Sequence, residues 1–335
     1  MKKTAFGLLL PLMVAATAAH AANTLVVTAS NATSNQLLVY NLAGKLVQTV
    51  PVQGKGGASG NSNGIAAFED MLAVVNAGSD SVAILQRKNN DFQMKQLVPT
   101  APKPLSVAFN SDHLYVLSAT RIESHRVHGN SVSLNPDGVV SLLLADGSAA
   151  QVGVLPTQLI ITEKANVIET VDLLSDGAVS GTATKVQNIP ANVDTPFGMI
   201  VHENNAYVTI AHADEMALVR GGKVLTVTPS GTQHSPCWLT MVGPFVYASN
   251  SPSMTLSRYA VYGQRIVQDA AIAATLNGSP TDIDAADGTL AVIDGAGGMT
   301  HLSIFSVDQD GNLALQSNAS IDGAANGVVV MPGNK

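Results

Sequence analysis

The chain contains one pattern repeated seven times, and this repetition restricts the possible folds more than any other feature. Each copy is an apolar, β-branched run, a short turn rich in Gly, Ser, Asn or Asp, and a second apolar run, which together predict a β-hairpin. Examples are LAVVNAGSDSVAIL, AYVTIAHADEMALV and LAVIDGAGGMTHLSIFSV, and successive copies begin about 40 to 48 residues apart. That spacing is the length of one four-stranded propeller blade.

Further apolar runs supply the other two strands of each copy. A run after the hairpin predicts the outer strand, as in KVLTV and NLALQS. A run before it predicts the inner strand, as at Pro104–Phe109, Pro196–Val201, Pro236–Met241 and Pro280–Ala285. The first copy lacks an inner run, and the C-terminal run Asn326–Met331 supplies it and closes the ring. The sequence therefore predicts an all-β, seven-bladed β-propeller with four-stranded antiparallel blades and almost no helix.

Two segments leave more than one interpretation open. The irregular stretch Asn135–Ala150 contains the run VVSLLL, which predicts either an extra strand or a packed loop. Cys237 and Trp238, the only residues of their types, stand side by side and could form a reactive centre. Because they occupy the start of an inner strand, packing between blades by an aromatic ring and a buried thiol is the favoured interpretation.

The N-terminus predicts export. Residues 1–21 combine a basic start, an apolar run and the small-residue site Ala19-His20-Ala21, which are the features of a cleaved signal peptide. Residues 22–335 are then a single propeller domain in the periplasm or outside the cell, and we expect no membrane insertion after cleavage. A lone cysteine cannot form an internal disulfide, so packing alone must hold the fold.

Composition excludes several classes of partner and cofactor. The net charge of -7 and the 12% of charged residues predict no nucleic-acid binding. With one tryptophan and 4% aromatic residues, a stacked quinone cofactor or an extended carbohydrate site is not indicated. The glycine-rich DGAGGM joins two strands, which is the wrong context for a dinucleotide site. We expect a small-molecule ligand or an unknown protein as partner, and no organic cofactor.

Several runs resemble a known family. TPFGMIVHENNAYVTIAHADE, SPCWLTMVGPFVYASN and SPTDIDAADGTLAVIDG are similar to the bacterial lactonase-family propellers, relatives of cytosolic 6-phosphogluconolactonase and of the fungal muconate-lactonizing enzymes. The resemblance extends over nearly all of residues 22–335 and implies a seven-bladed fold. It also implies hydrolysis or formation of a sugar or muconate lactone. The resemblance does not identify catalytic residues, because it includes no short catalytic motif.

One position recurs at the end of every second strand and should lie on a single rim of the ring. Its occupants are Ala29, Asn76, Ser118, Glu163, Ile210, Asn250 and Asp294. Such side chains often bond the backbone of their own turn, which is one interpretation. The other is a ring of oxygen donors, formed by Asn76, Glu163, Asn250 and Asp294, that binds substrate or, less readily, calcium.

A second group of polar residues lies on neighbouring loops of the same rim. His212 and Glu215 belong to the turn AHADE of the fifth copy, and His234 lies in the loop that leads into the sixth. A histidine near a carboxylate can act as general base toward a water that attacks a lactone carbonyl. We predict catalytic roles for His212, His234 and Glu163. The predicted substrate-binding residues are Asn76, Arg121, Glu215, Asn250, Asp282 and Asp294.

Two functions remain open from the sequence. One is a secreted hydrolase of a small lactone or ester. The other is a non-catalytic propeller that binds a small ligand or a protein through the same face. The incomplete acid and base set, with Ile210 and Ala29 at rim positions, favours the second, whereas the family resemblance favours the first.

The signal prediction has a direct check. When the full chain is expressed in an exporting bacterial host, the purified protein should begin at or next to Ala22, because cleavage follows the Ala19-His20-Ala21 site. Intact mass and N-terminal sequencing measure this. Recovery of a chain that still begins at Met1 would contradict it.

Overall fold

The computed structural model describes residues 24–333 and shows seven antiparallel sheets that are arranged as a ring. The predicted signal peptide, residues 1–21, lies outside the described residues. The seven-bladed, all-β prediction is confirmed. Among residues 24–333, no helix has the length and apolar character needed to cross a bilayer.

Blades two to seven take their strands in sequence order from the centre outward, and blade one has the C-terminal strand at its centre. Blade one uses β29 (Asn326–Met331), β1 (Leu25–Ala29), β2 (Gln36–Asn41) and β3 (Leu46–Pro51). Blade two comprises β4 (Ile65–Phe68), β5 (Met71–Asn76), β6 (Ser81–Lys88) and β7 (Asp91–Pro99). Blade three comprises β8 (Pro104–Phe109), β9 (His113–Ser118), β10 (Arg121–His128), β11 (Ser131–Val132) and β12 (Gly138–Ser141).

The remaining blades are regular. Blade four comprises β13 (Ala149–Val154), β14 (Gln158–Glu163), β15 (Val167–Leu173) and β16 (Val179–Lys185). Blade five comprises β17 (Pro196–His202), β18 (Asn205–Ile210), β19 (Glu215–Arg220) and β20 (Lys223–Pro229). Blade six comprises β21 (Pro236–Val242), β22 (Phe245–Asn250), β23 (Thr255–Tyr262) and β24 (Arg265–Thr275). Blade seven comprises β25 (Ser279–Ala286), β26 (Thr289–Ala296), β27 (Met299–Val307) and β28 (Leu313–Asp322).

Helix is limited to two short 3₁₀ turns within residues 24–333, at Ala77–Ser79 and Ala211–Ala213, as the sequence predicts. The irregular stretch Asn135–Ala150 contains both an extra strand and a loop, the two alternatives that the sequence left open. Its first part is the short outer strand β12, which pairs with β10, and residues 142–148 are a connecting segment.

The C-terminal strand closes the ring. β29 pairs with β1 in antiparallel register from Met331 opposite Leu25 to Val328 opposite Thr28. The Thr28 hydroxyl also donates to the Gly327 carbonyl at 2.6 Å. The inner strands then follow one another round the axis, and β29 contacts both β25 and β4. The first blade therefore has no open inner edge, as predicted.

Apolar side chains fill the spaces between neighbouring blades. Each cluster combines residues from two or more blades, as when Val39 of blade one packs with Leu72 and Val74 of blade two. Tyrosines 115, 207, 247 and 259 are among the largest fully buried side chains. Burial on this scale is the main favourable term in folding, and it holds the ring without a disulfide.

Polar side chains join the inner strands to one another. The innermost strand of a blade has one edge without a strand partner, so its N–H groups need other acceptors. Asp282 accepts from the Val328 N–H at 3.3 Å, and Asp284 accepts from the Val330 N–H at 2.8 Å. Gln151 bonds both the N–H and the carbonyl of Met199 in the same way. Asp282 is therefore a buried link between blades seven and one.

The link through Asp284 predicts a pH-dependent stability. Burial raises the pKa of Asp284 to about 7 from its ordinary value of 3.8. The folded chain therefore retains a proton that the unfolded chain releases, and stability falls as pH rises through that window. Asp284→Asn keeps an oxygen for Val330 and cannot ionise. We expect its free energy of unfolding to exceed that of the wild type by about 1–2 kcal/mol near pH 8 and to match it near pH 4.

Urea unfolding at the two pH values measures this difference. An Asp284→Asn variant that is less stable than the wild type at the higher pH would show that the ionised carboxylate is the favoured state in the fold.

Candidate functional site

The upper face of the ring carries the turns between second and third strands and the segments that join one blade to the next. The central channel opens at this face, and residues 52–64, which connect blade one to blade two there, are called the plug here. Gly56 and Gly64 permit the close approach, because a Cβ at either would lie within 2.4 Å of Asn31 backbone atoms or of the Asn326 amide oxygen. The plug is therefore packed against the turn after β1 and against the start of β29.

Hydrogen bonds from several blades hold the plug. Asn61 donates to the Leu105 carbonyl of blade three at 2.7 Å and exchanges amide bonds with Asn326 of blade one. The N–H of Ser62 donates to Ala150 of blade four. The Lys164 ammonium donates to the Gly60 carbonyl at 2.5 Å. The plug thus spans the mouth and ties distant blades together.

Trp238 explains the unusual Cys-Trp pair. Its indole N–H donates to the Asn61 carbonyl at 3.0 Å, and its ring packs edge-on against Phe197 with the ring centroids 5.1 Å apart. Burial raises the pKa of the neighbouring Cys237 thiol to about 12, so the thiolate is strongly disfavoured. The packing interpretation is confirmed, and Trp238 has the additional task of holding the plug.

The recurring position at the second-strand ends is buried. Asn76 donates to the Val52 carbonyl and accepts from Asn35, and Ser118 donates to the Ala101 carbonyl. These carbonyls belong to the segments that enter blades two and three, so the side chains hold incoming chain rather than their own turn. Both residues are 0% exposed, which places them beneath the rim.

Glu163 follows the same rule and has an acidic partner. Its carboxyl accepts from the Leu144 N–H at 3.2 Å, and Glu169, on the next strand, accepts from the Leu143 N–H at 2.8 Å. The two residues lie on paired strands, and their carboxyl groups accept from consecutive N–H groups, so the carboxyl groups are neighbours. Burial raises the pKa of both, to about 7 for Glu169. Neither residue is exposed.

Asn250 and Asp294 are also buried. Asn250 donates to the Ser257 hydroxyl at 2.8 Å, and Asp294 pairs with His301 at 3.1 Å across the β26–β27 ladder. Burial raises the pKa of Asp294, while His301 opposes that shift. His301 lies on a third strand, away from the histidines that the sequence favoured, yet it forms one of the carboxylate pairs. Within residues 24–333, no three His, Cys, Asp or Glu side chains are grouped as a metal site would require.

The exposed candidates meet at the turn of blade five. Asp214 ends this turn in a left-handed conformation, with φ of 55°. One of its oxygens lies 2.8 Å from Nδ1 of His234, and the other accepts the Ser235 N–H at 2.7 Å. An ionised carboxylate only accepts, so Nδ1 of His234 carries the hydrogen and Nε2 has the lone pair. The His234 side chain is 65% exposed.

His212 has a similar orientation in the same turn. Its Nδ1 lies 2.9 Å from the Thr195 hydroxyl and 3.4 Å from an oxygen of Asp194. The Thr195 hydroxyl donates to Asp194, so Nδ1 of His212 is the donor to that hydroxyl. Glu215 accepts from Asn192 at 3.1 Å on the same segment. Two histidines with oriented rings therefore flank one turn.

The structure brings together only part of the predicted site. His212, His234 and Glu215 share the rim of blades five and six, as expected. Glu163 contacts segment 142–148 on the side of blade three and is not part of this group. Arg121 lies on blade three, where it forms an ion pair with Glu123 at 2.9 Å. The predicted roles of Asn76, Asn250, Asp282 and Asp294 in substrate binding stay predictions, and these side chains are buried in this structure.

Three cavities lie away from the histidines. One of about 370 Å³ lies on the upper face between blades one and two, lined by Asn35, Gln53, Lys55 and Ser79 among others. One of about 270 Å³ lies between the Gly297-Gly298 turn and the segment 323–325. The largest, about 820 Å³, lies between blades one and two beside Glu69, Arg87 and Pro332. The side chains of His212 and His234 are instead exposed, at 61% and 65%.

Several residues of the upper face escaped the sequence analysis. Asp194 and Thr195 orient His212, but both lie in an ordinary loop pattern. The plug shows one usable signal, the run of polar and glycine residues GKGGASGNSNG, which is long for a connection between blades. Glu169 interrupts an apolar run as VIETVDL, which also marks a buried charge.

Comparisons with known proteins show the fold. No protein-family profile matches the sequence, and no curated protein matches it. Among solved structures, a candidate 6-phosphogluconolactonase from Bacteroides fragilis aligns with a TM-score of 0.69, at 13% identity, over 92% of this chain and 98% of that one. The periplasmic gluconolactonase of Pseudomonas aeruginosa aligns with a TM-score of 0.68, at 15% identity, over 93% and 99%. The fold is that of the seven-bladed lactonase propellers.

A third structure limits what this likeness means. The virginiamycin B lyase of Staphylococcus aureus aligns with a TM-score of 0.57, at 13% identity, over 77% of this chain and 84% of that one. A lyase and lactonases thus share the same ring. The resemblance stated from sequence is confirmed as a shared fold, and the chemistry must be argued from the residues.

The role of Trp238 predicts a local effect. Trp238→Phe keeps an aromatic ring near Phe197 but removes the donor to Asn61. We expect a loss of about 2–4 kcal/mol in the free energy of unfolding, and faster amide exchange in the plug, including Ser62. Hydrogen exchange with mass spectrometry measures the second effect.

Tyr247→Phe is the matched control, because it removes a buried bond from blade six to the Gly311 carbonyl of blade seven, away from the plug. Equal plug exchange in both variants would contradict the role given to the indole.

Proposed function

We propose that this protein is a periplasmic or secreted hydrolase that acts on a small lactone or ester. The fold is shared with lactonases, one of them periplasmic, and the signal features of residues 1–21 support export. The single observation that carries the chemistry is the exposed His234–Asp214 pair. A lactone carbonyl needs only an activated water and stabilisation of the resulting charge.

His234 is the proposed general base. Asp214 fixes the ring so that Nδ1 donates to the carboxylate, and Nε2 is left to accept a proton from water. The same carboxylate is itself fixed by the Ser235 N–H. His212, oriented by Thr195 on the opposite side of the turn, is placed to bind the substrate or to assist proton transfer.

Mutation of the pair tests the proposal. We expect His234→Ala to lower kcat about 10²- to 10⁴-fold on a lactone that the wild type hydrolyses, which is the usual contribution of a general base. Asp214→Asn should lower kcat less and shift the pH profile, because the ring would lose the acceptor that orients it. A panel of sugar-derived and aliphatic lactones, followed by proton release, provides the assay.

His202→Ala is the matched control, since His202 is exposed at the first turn of blade five, at the lower face. Hydrolysis that is unchanged in His234→Ala and His212→Ala would remove the proposed site. If the wild type hydrolyses no member of the panel yet binds one of them, the chain is a binding propeller instead.

A further inference from the structure

Segment 142–148 is fixed firmly at its ends and weakly in its middle. The N–H of Leu142 donates to the Thr120 carbonyl, and the carbonyl of Ser148 accepts from the Lys164 N–H. Leu142 is also buried among the apolar residues of blades three and four. The ends are therefore held by backbone bonds and, at Leu142, by burial.

The middle of the segment has neither kind of support. Leu143 and Leu144 are 44% and 39% exposed, so burial of their side chains contributes little. Ala145 has φ of 47°, a left-handed conformation that costs a residue with a side chain about 1 kcal/mol or more. The N–H groups of Leu143 and Leu144 both donate to the Glu163–Glu169 carboxyl pair.

The two carboxyl groups can remain buried side by side only if they share one proton. Oε2 of Glu163 and Oε1 of Glu169 are buried, and within residues 24–333 no donor reaches either of them. Two ionised carboxylates in contact, away from water, repel each other strongly, and a proton shared between them removes the repulsion. The pair is then one carboxylic acid bonded to one carboxylate.

We infer that the Glu163–Glu169 pair is a proton-operated latch that holds segment 142–148 closed over the rim of blade four. With one proton, the pair accepts both N–H groups and maintains the strained turn at Ala145. When the proton leaves, repulsion between the carboxylates favours release of the middle of the segment, and water reaches both groups. Release also relieves the left-handed strain.

No neighbouring cation described here neutralises the Glu163–Glu169 pair in place of the shared proton. Asp146, on the segment itself, adds negative charge near Glu163 and raises its pKa further. Lys164 directs its ammonium to the carbonyls of Gly60 and Ala149. Lys185 lies opposite Glu169 on β16 and is exposed. On blade three, Arg121 is paired with Glu123.

The direction of the pH effect follows from linkage. Burial and the neighbouring carboxyl raise the pKa of Glu169 to about 7 in the closed state, whereas a solvated glutamate has its ordinary value of 4.5. Opening therefore releases a proton between these values, so the opening equilibrium should increase up to about tenfold per pH unit in that window and level off above it. The segment opens as pH rises.

Hydrogen exchange of the 142–148 amides, corrected for intrinsic exchange rates, tests the latch. In the wild type we expect the opening equilibrium to increase at least about tenfold between pH 5 and pH 7.5. In Glu169→Gln, the amide reproduces the protonated partner at every pH, so protection should be high and independent of pH. Glu203→Gln, an exposed substitution at a lower turn, is the matched control and should behave as the wild type.

Wild-type protection that does not change with pH would overturn the latch, and so would a Glu169→Gln variant that keeps the wild-type pH dependence. If that variant fails to fold, Glu163→Gln provides the same test from the other side of the pair. The exchange measurement does not depend on catalysis at His234, so the latch and the proposed hydrolase stand or fall separately.

Discussion

The ring depends on how the unpaired edges of its innermost strands are satisfied. Each blade presents such an edge to the axis, and backbone groups that are buried there need hydrogen-bond partners. Asp282, Asp284 and Gln151 supply side-chain partners across the gap to the next blade, and β29 supplies the missing strand of blade one. Apolar packing between blades provides most of the stability, but these polar links fix which strand meets which.

Polar side chains also hold the connecting segments of the upper face. At the second-strand ends, Asn76, Ser118 and Glu163 bond the segments that enter their blades, and Trp238 bonds Asn61 of the plug. The two segments held in this way are residues 52–64 and 142–148, and both lie against buried polar side chains. Polar residue types that are suited to catalysis are therefore used here for structure, because the buried ones bond the connecting segments.

Sequence predicted the fold well because its signals are local and repeated. Strand β29 was predicted at its observed bounds, Asn326–Met331, and β8 at Pro104–Phe109, since alternation and turn residues define them. The site was predicted less completely. Chain topology placed His212 and His234 on one rim, but the direction in which Glu163 points, and its contact with Glu169, depend on packing that no spacing reveals. The plug is held in part by the bond between Trp238 and Asn61, which are 177 positions apart. Sequence periodicity does not predict such a long-range contact.

The chemistry proposed for this protein lies outside the channel, at the rim of blades five and six, because the exposed His234–Asp214 pair lies there. The most direct test is a crystal structure with a bound, hydrolysis-resistant lactone analogue. The account predicts density within hydrogen-bonding distance of Nε2 of His234, with the plug in place. Density inside the channel beneath a displaced plug, with His234 untouched, would contradict it.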